Sequence, residues 1–466
     1  GCFKSNSSFD DFCQKKDSND NLICLRAKPE NEGFEGAIVL EPKPGIYINE
    51  PISVLDYASL YPSSMISENI SHDTLIIDEK YDNLPGYEYV NITFDLFKGK
   101  GDAKKKIGEQ TCRYVQFPNS EKGLLPRILQ KLLKQRKATR KKITWKTITL
   151  NTGEEYKGNI IDETDTYIKM KVEDKNTIEI DKSNIKSNIY THNDFEKAIL
   201  DGLQLAYKLT ANSLYGQVGA PTSPIFMKEL AASTTATGRN LILSAKKFAE
   251  EQYNCEVVYG DTDSIFIKLP PLSCYKKYGH PTEKQNILQY NVDVGEQLSA
   301  DFQKLLKPPH CLEWEKMFYP FIIFSKKRYV GNLYEHDVNK FKQKSMGIVL
   351  KRRDNANIVK IIYGGVIDII LNEVDINKSL EFLDKSLKRL ANGEYPLEEL
   401  VVTKTLRGFY KNPLQIAHKV LADRMKKRDP GSAPQSNDRV PYVYINVKEK
   451  SNVRLLQGDK IEDPKF

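Results

Sequence analysis

Asp261 and Asp263 stand two residues apart at the centre of Val257-Val258-Tyr259-Gly260-Asp261-Thr262-Asp263-Ser264-Ile265-Phe266-Ile267. Apolar β-formers flank a short polar centre, which predicts a hairpin, and Gly260 can take backbone conformations closed to other residues. Side chains two apart reach the same face of a strand. Two carboxylates so placed repel each other unless a cation lies between them. Oxygen donors favour a hard ion, and Mg²⁺ is the usual one where phosphates complete its shell. The same tetrapeptide also serves as an ordinary Asp-rich turn. The pair alone leaves both readings open.

A third carboxylate, Asp56, ends the run Ile52-Ser53-Val54-Leu55 and precedes Tyr57-Ala58-Ser59-Leu60-Tyr61-Pro62-Ser63. The run predicts a buried strand stopping at Asp56, with Pro62 opening a helix at Ser63. A carboxylate at a strand end, followed by small residues with free N–H groups, can hold a metal and a phosphate together. A strand-capping Asp fits the same pattern.

These residues sit in a chain of 466, which at roughly 150 residues per domain suggests two to four domains. Hydrophobic residues make up 40% and charged residues 28%, a globular composition. Lys and Arg number 70 against 62 Asp and Glu, a net charge of +8, which favours a polyanionic partner. No apolar run is long enough to span a bilayer and no signal peptide opens the chain, so a soluble intracellular protein without a membrane partner is expected. The cysteines Cys2, Cys13, Cys24, Cys112, Cys255, Cys274 and Cys311 form no Cys-x-x-Cys pair, which argues against a common zinc site and suits reduced thiols. The chain begins with Gly1 rather than Met, which suggests a piece of something longer.

In chain order, residues 1–34 read as a polar connector. A strand is expected in 33–42, stopping at Pro42, and a turn over 45–51. Leu125, Ile128, Leu129, Leu132 and Leu133 repeat at helical spacing beside a basic face that runs to Lys142. A second helix, 194–216, carries Leu200, Leu203, Leu205, Leu209 and Lys208. Between them, 143–192 holds short strands with turn signals, a compact β insertion of small-barrel size. It is either a decoration tolerated on a surface loop or a docking site for a partner or DNA. Helices are expected over 231–251 and 290–306, with Thr237-Gly238-Arg239 in the first of them and a loop over 274–280 between. Residues 311–329 alternate as an antiparallel hairpin, and its basic end, Lys326-Lys327-Arg328-Tyr329, could contact a nucleic-acid backbone. Glu313 and Glu315 are candidate helpers for a metal. From 345 onward the composition turns helical, including 358–374 and 380–391.

Asp56-Tyr-Ala-Ser-Leu-Tyr-Pro-Ser resembles the first catalytic motif of the B-family DNA polymerases. Lys208-Leu-Thr-Ala-Asn212-Ser-Leu-Tyr215-Gly216 is similar to their second motif and Tyr259-Gly-Asp261-Thr-Asp263-Ser to their third, in the same order. The similarity runs over most of the chain and is closest in flavour to eukaryotic replicative enzymes and those of large DNA viruses. It implies an α+β, right-hand polymerase with an antiparallel-sheet palm, two-helix fingers carrying the small β insertion, and a mostly helical, partial thumb. The implied boundaries are connector 1–34, palm 35–118, fingers 119–218 with the insertion at 145–192, palm 219–344 and thumb 345–466. By that resemblance the chain is expected to lack the exonuclease domain that precedes the palm in the family and to stop before the thumb is complete.

The resemblance also assigns roles. Asp56, Asp261 and Asp263 are catalytic, with Asp56, the Tyr57 carbonyl and Asp263 as ligands of two Mg²⁺ ions, or Mn²⁺ in their place, and Asp261 binding metal only in some states. Ser59, Leu60, Tyr61, Arg136, Arg140, Lys208, Asn212 and Tyr215 receive the nucleotide. Tyr61 excludes a ribose 2′-hydroxyl. Arg offers forked contacts to phosphate and Lys a point charge. Arg140 stands where the family commonly has Lys. Gly216, Lys326, Lys327, Arg328, Tyr329, Arg352, Arg353, Arg424 and Arg428 receive DNA. Primer-template DNA, dNTPs and a processivity factor are the implied partners, and the nucleus or a cytoplasmic viral replication site the implied location. Two other readings are a non-catalytic nucleic-acid-binding remnant and a templated polymerase that makes or copies RNA. Tyr61 and the Lys208 to Gly216 pattern favour DNA synthesis over the latter.

Overall fold

The apolar run ahead of Asp56 forms strand β5 (Ile52–Tyr57), buried at every position but Asp56. The structure is a computed structural model and describes residues 15–16, 22–23, 32–99, 105–143, 145–172, 176–186, 194–270, 284–447 and 457–465. Most of the 1–34 connector and the whole 274–280 loop therefore lie outside the described residues. The chain divides into two units. One comprises Gly1–Ile38, Tyr57–Ala245 and Ala300–Glu313; the other comprises Val39–Asp56, Lys246–Ser299 and Trp314–Phe466.

The second unit is built on a sheet in the order β12 (Glu256–Asp261), β13 (Ser264–Lys268), β5, β14 (Leu312–Ser325), β15 (Arg328–Tyr334), β16 (Phe341–Met346). A further strand, β4 (Gly45–Tyr47), pairs with β14 where a turn was expected. The strand expected in 33–42 is shorter. It ends as β3 (Glu32–Phe34), and Val39 makes only an isolated bridge to Asp261. Period-two alternation puts Ile52, Val54, Val258, Phe266, Phe318, Phe321 and Leu333 into one apolar cluster. Clustered aromatic rings of this size dominate a core's energetics.

Helix α5 (Lys284–Gln303) begins six residues earlier than expected, and α6 (Asn357–Asp368) runs on through a π-helical turn, Ile369–Glu373. Helices α7 (Ile376–Ala391), α8 (Leu397–Leu400) and α9 (Ala417–Arg428) follow. The mostly helical region expected beyond 345 also carries a small sheet. Strands β17 (Val402–Thr405), β18 (Arg439–Tyr444) and β19 (Ile461–Glu462) form a sheet packed on α9 through Leu406, Leu421, Val440, Tyr442 and Ile461. Arg439-Val-Pro-Tyr-Val-Tyr is the β-branched and aromatic alternation that builds its central strand.

In the first unit β1 (Lys15–Lys16) pairs with β2 (Leu22–Ile23). A long hairpin, β6 (Glu88–Lys98) and β7 (Lys105–Gln116), pairs with β3. Helix α1 (Leu60–Ser67) starts three residues earlier than expected, so Pro62 falls inside its first turn, where a missing N–H costs nothing. Helices α2 (Leu124–Ile143) and α3 (Asp194–Gly219) pack on each other and on α1. Leu203, Leu205 and Leu209 on α3 are exposed. Helix α4 (Lys228–Tyr253) completes the unit's core through Leu230, Ala231, Ala232 and Ala236.

The insertion folds as expected into short antiparallel strands, β8 (Lys146–Thr149), β9 (Glu155–Glu163), β10 (Tyr167–Val172) and β11 (Asn176–Asp181). Ile148, Ile168, Met170 and Ile180 form its own buried core. A bridge between Leu150 and Ile185, with the Lys186 N–H on the Thr149 carbonyl, draws its last residues back to its first strand.

Candidate active site

Strand register brings the carboxylates of the second unit together. Asp56 lies opposite Ser264 in the β5–β13 ladder, next to Asp263 in the turn that joins β12 to β13. Thr262 takes a positive φ of 60° in that turn, and the Asp263 N–H donates to the Asp261 carbonyl at 2.6 Å. Sequence alternation predicted the hairpin, and the tight two-residue turn is what places Asp261 and Asp263 beside the end of β5.

Asp261 is held by three donors. The Lys327 ammonium lies 2.7 and 2.8 Å from its two oxygens. The Thr262 hydroxyl donates to it at 3.0 Å and the Tyr259 hydroxyl at 3.2 Å. Tyr259 in turn accepts from the Lys327 N–H at 2.9 Å, and burial pushes its phenol up to about 12, so it stays a donor at neutral pH. Both Asp261 oxygens are therefore engaged within the two hairpins.

Asp56 and Asp263 are half-buried carboxylates near the adjoining ends of β5 and the β12–β13 turn, and Tyr57, the last residue of β5, adds a carbonyl oxygen. An all-oxygen donor set of this kind suits a hard divalent cation. Among the described residues, no three His, Cys, Asp or Glu side chains gather into a metal-holding group.

In the first unit the residues after Asp56 take fixed positions. Tyr57 is buried, and its hydroxyl donates to the Leu241 carbonyl on α4 at 2.9 Å. Ser59 caps α1 in the left-handed conformation, φ 55° and ψ 55°. Leu60 is buried. The Tyr61 ring lies 4.4 Å from that of Tyr215 on α3. Arg136 on α2 is half-buried and reaches the Ser59 hydroxyl at 3.4 Å and the Gln204 amide oxygen at 3.5 Å. Its pKa is lowered by burial and then by Arg140, while Glu313 opposes the shift. Guanidinium stays charged regardless. Arg140 on α2, and Lys208, Asn212 and Gly216 on α3, are exposed. Gln204, one helical turn before Lys208, drew no attention in the sequence. Its spacing from Lys208 was the available signal.

The remaining basic residues divide. Lys326, Lys327 and Arg328 are exposed at the β14–β15 turn, where Lys326 pairs with Glu41. Tyr329 turns inward. Its ring packs against Tyr259, Phe266, Phe318 and Phe321, and burial pushes its phenol well above the usual range. Arg352 pairs with Asp354 at 2.9 Å, and the exposed Arg353 offers its carbonyl to Arg439 at 2.7 Å. Arg424 donates to the Gly458 and Ile461 carbonyls, and Arg428 pairs with Glu462 at 2.7 Å. These two guanidinium groups bind the Gly458–Glu462 segment.

The model of DNA polymerase family B matches residues 12–170 and 178–466. A DNA polymerase of Pyramimonas orientalis virus is 64% identical over 439 residues, covering 94% of this chain and 36% of that protein. The DNA polymerase delta catalytic subunit of Candida albicans is 32% identical over 451 residues, covering 95% of this chain and 36% of that protein. The chain thus spans a little over a third of the length of these relatives. Among solved structures, the family B DNA polymerase of the archaeon Pyrobaculum calidifontis has the same fold, with a TM-score of 0.55 and 22% identity over 96% of this chain and 45% of that one.

Proposed function

The chain belongs to DNA polymerase family B, and from that premise we propose that it carries the centre for template-directed DNA synthesis. The reaction is attack of a primer 3′-hydroxyl on the α-phosphate of a deoxynucleotide, with release of pyrophosphate. The observation that carries this reading is the register of Asp56 opposite Ser264, which sets two oxygen donors beside each other at adjoining strand ends.

Asp56, Asp263 and the Tyr57 carbonyl would hold Mg²⁺. When bound, such ions would supply stabilisation of the attacking and leaving oxygens. Asp261, tied to Lys327, orients that lysine toward the DNA backbone. The Ser59 and Leu60 N–H groups receive the β- and γ-phosphates. Arg136, Arg140 and Lys208 offset the charge that develops on them, chiefly through positioning and electrostatics. Asn212 joins them. Tyr61 lies beneath the sugar and excludes a 2′-hydroxyl, and Tyr215 supports the nascent base pair.

The central sheet is read as the palm, α2 and α3 as the fingers, and 345–466 as part of a thumb. Gly216, Lys326, Lys327, Arg328, Arg352 and Arg353 are the proposed DNA contacts, mostly to backbone, which suits an enzyme that accepts any sequence. A processivity factor is a proposed partner, and a nuclear or viral replication site the proposed location. Among the described residues no helix is long and apolar enough to cross a membrane.

Primer extension on a primed DNA template with Mg²⁺, with parallel dNTP and rNTP lanes, tests the reading. Extension with dNTPs alone is the expected result. Salt-sensitive duplex binding without extension in either lane would replace it with the non-catalytic reading.

A further inference from the structure

Thr237-Gly238-Arg239 lies within α4, where a glycine is unfavourable. In a helix interior Gly loses more backbone freedom on folding than Ala and adds no packing. Its neighbours have evident partners. Arg239 donates to the Glu35 and Gly36 carbonyls at 2.7 and 2.9 Å, and Thr237 returns a bond to Ser233 of its own helix. Gly238 is accounted for by space. A Cβ there would lie 3.0 Å from Cε1 of Tyr61, 3.5 Å from Cδ1 of the same ring and 3.3 Å from Cδ2 of Leu60.

The Tyr61 ring therefore rests on the bare backbone of α4. Its other neighbour, the Tyr215 ring 4.4 Å away on α3, limits where it can go. Four residues earlier, Tyr57 is fixed to the same helix, three residues beyond Gly238, by its bond to the Leu241 carbonyl. Helix α4 thus fixes the Tyr57–Tyr61 segment at two points, one polar and one steric. A side chain at 238 must displace Tyr61 by a few tenths of an ångström, and close-packed surroundings transmit such a shift.

We propose that Gly238 is a specificity-determining position: its lack of a side chain seats the Tyr61 ring, and so sets how strictly the protein distinguishes deoxyribose from ribose. Gly238 touches no substrate and acts through Tyr61. The inference rests on the reading of Tyr61 as the sugar gate.

The test is a double-mutant cycle read as the ratio of kcat/KM for dCTP to that for CTP, from single-nucleotide primer extension by Gly238→Ala, Tyr61→Ala and the double variant. Tyr61→Ala is expected to lower the ratio. Gly238→Ala is expected to lower it by about tenfold, the lower end of what one methylene produces in a packed site. In the Tyr61→Ala background, where the added methyl has room, Gly238→Ala is expected to change nothing further. Melting temperatures of Gly238→Ala at or above that of the parent would show that the fold persists, since Ala is the better helix former. An unchanged ratio for Gly238→Ala beside a lowered ratio for Tyr61→Ala overturns the inference and leaves the gate standing. A Gly238→Ala effect that persists without the Tyr61 ring overturns it as well. An unchanged ratio for Tyr61→Ala removes the gate reading itself.

Discussion

The Lys327 ammonium grips both carboxylate oxygens of Asp261, at 2.7 and 2.8 Å, across the mouths of two hairpins. Lys327 sits in the β14–β15 turn with a positive φ of 62°, and Asp261 ends β12. A protein cation thus answers the charge of one of the two aspartates at this hairpin.

Lys327→Ala is expected to weaken duplex binding and to lower the salt dependence by about one unit of log–log slope, the effect of losing one phosphate contact. Melting should move little, because exposed ion pairs contribute only about 0–1 kcal/mol. Fluorescence anisotropy against salt concentration measures the slope, and an unaltered slope would remove Lys327 from the DNA interface.

Asp263→Asn keeps the shape of the hairpin and removes a ligand charge. Primer extension should fall by about 10²-fold or more, while affinity for primed duplex persists. Ordinary extension by this variant would sink the metal assignment.

Gly347 has a φ of +63°, and a Cβ there would come within 2.0 Å of the Lys327 carbonyl oxygen. Gly347→Ala should cost about 2–4 kcal/mol through backbone strain and overpacking. Urea denaturation would show it, and a change under about 0.5 kcal/mol, typical of neutral surface sites, would refute the close approach.

His310 is buried, with Nδ1 3.0 Å from the Lys307 carbonyl oxygen and Nε2 3.2 Å from the Ser64 hydroxyl. Burial lowers its pKa. The unfolded chain then binds the proton more readily, so this contribution to stability is complete above the unfolded value of about 6.5 and declines as pH falls toward the folded value. Denaturation midpoints should drop as pH falls below about 6.5, and His310→Asn should flatten that part of the profile. An equal slope in both proteins would contradict the assignment.

The elements easiest to read in the sequence were those whose pattern is local. Alternation around Asp261 and Asp263 announced the hairpin, and leucine spacing announced α2. The β17–β19 sheet was not legible, because its strands are short and the last is separated from Tyr444 by many residues. Nor was the β6–β7 hairpin, whose strands mix apolar and charged residues on a largely exposed surface. At the candidate site, the residue types of Asp56, Arg136 and Tyr61 were legible. Their partners were not. Lys327 meets Asp261 across 66 positions, and Gly238 meets Tyr61 across a longer separation. Such pairings depend on tertiary packing, which no local period encodes. Arg424 and Arg428 show the converse, since basic residues suggestive of DNA contact in the sequence are tied to Gly458, Ile461 and Glu462.

The β insertion between α2 and α3 returns to its own starting strand through Leu150 and Ile185, around a core of its own. Its first strand and its last described residues are therefore neighbours, and its core closes without either helix. It is built as a cassette, a unit whose internal sequence answers first to its own core. Selection can then act on the cassette and on the helices as two separate questions.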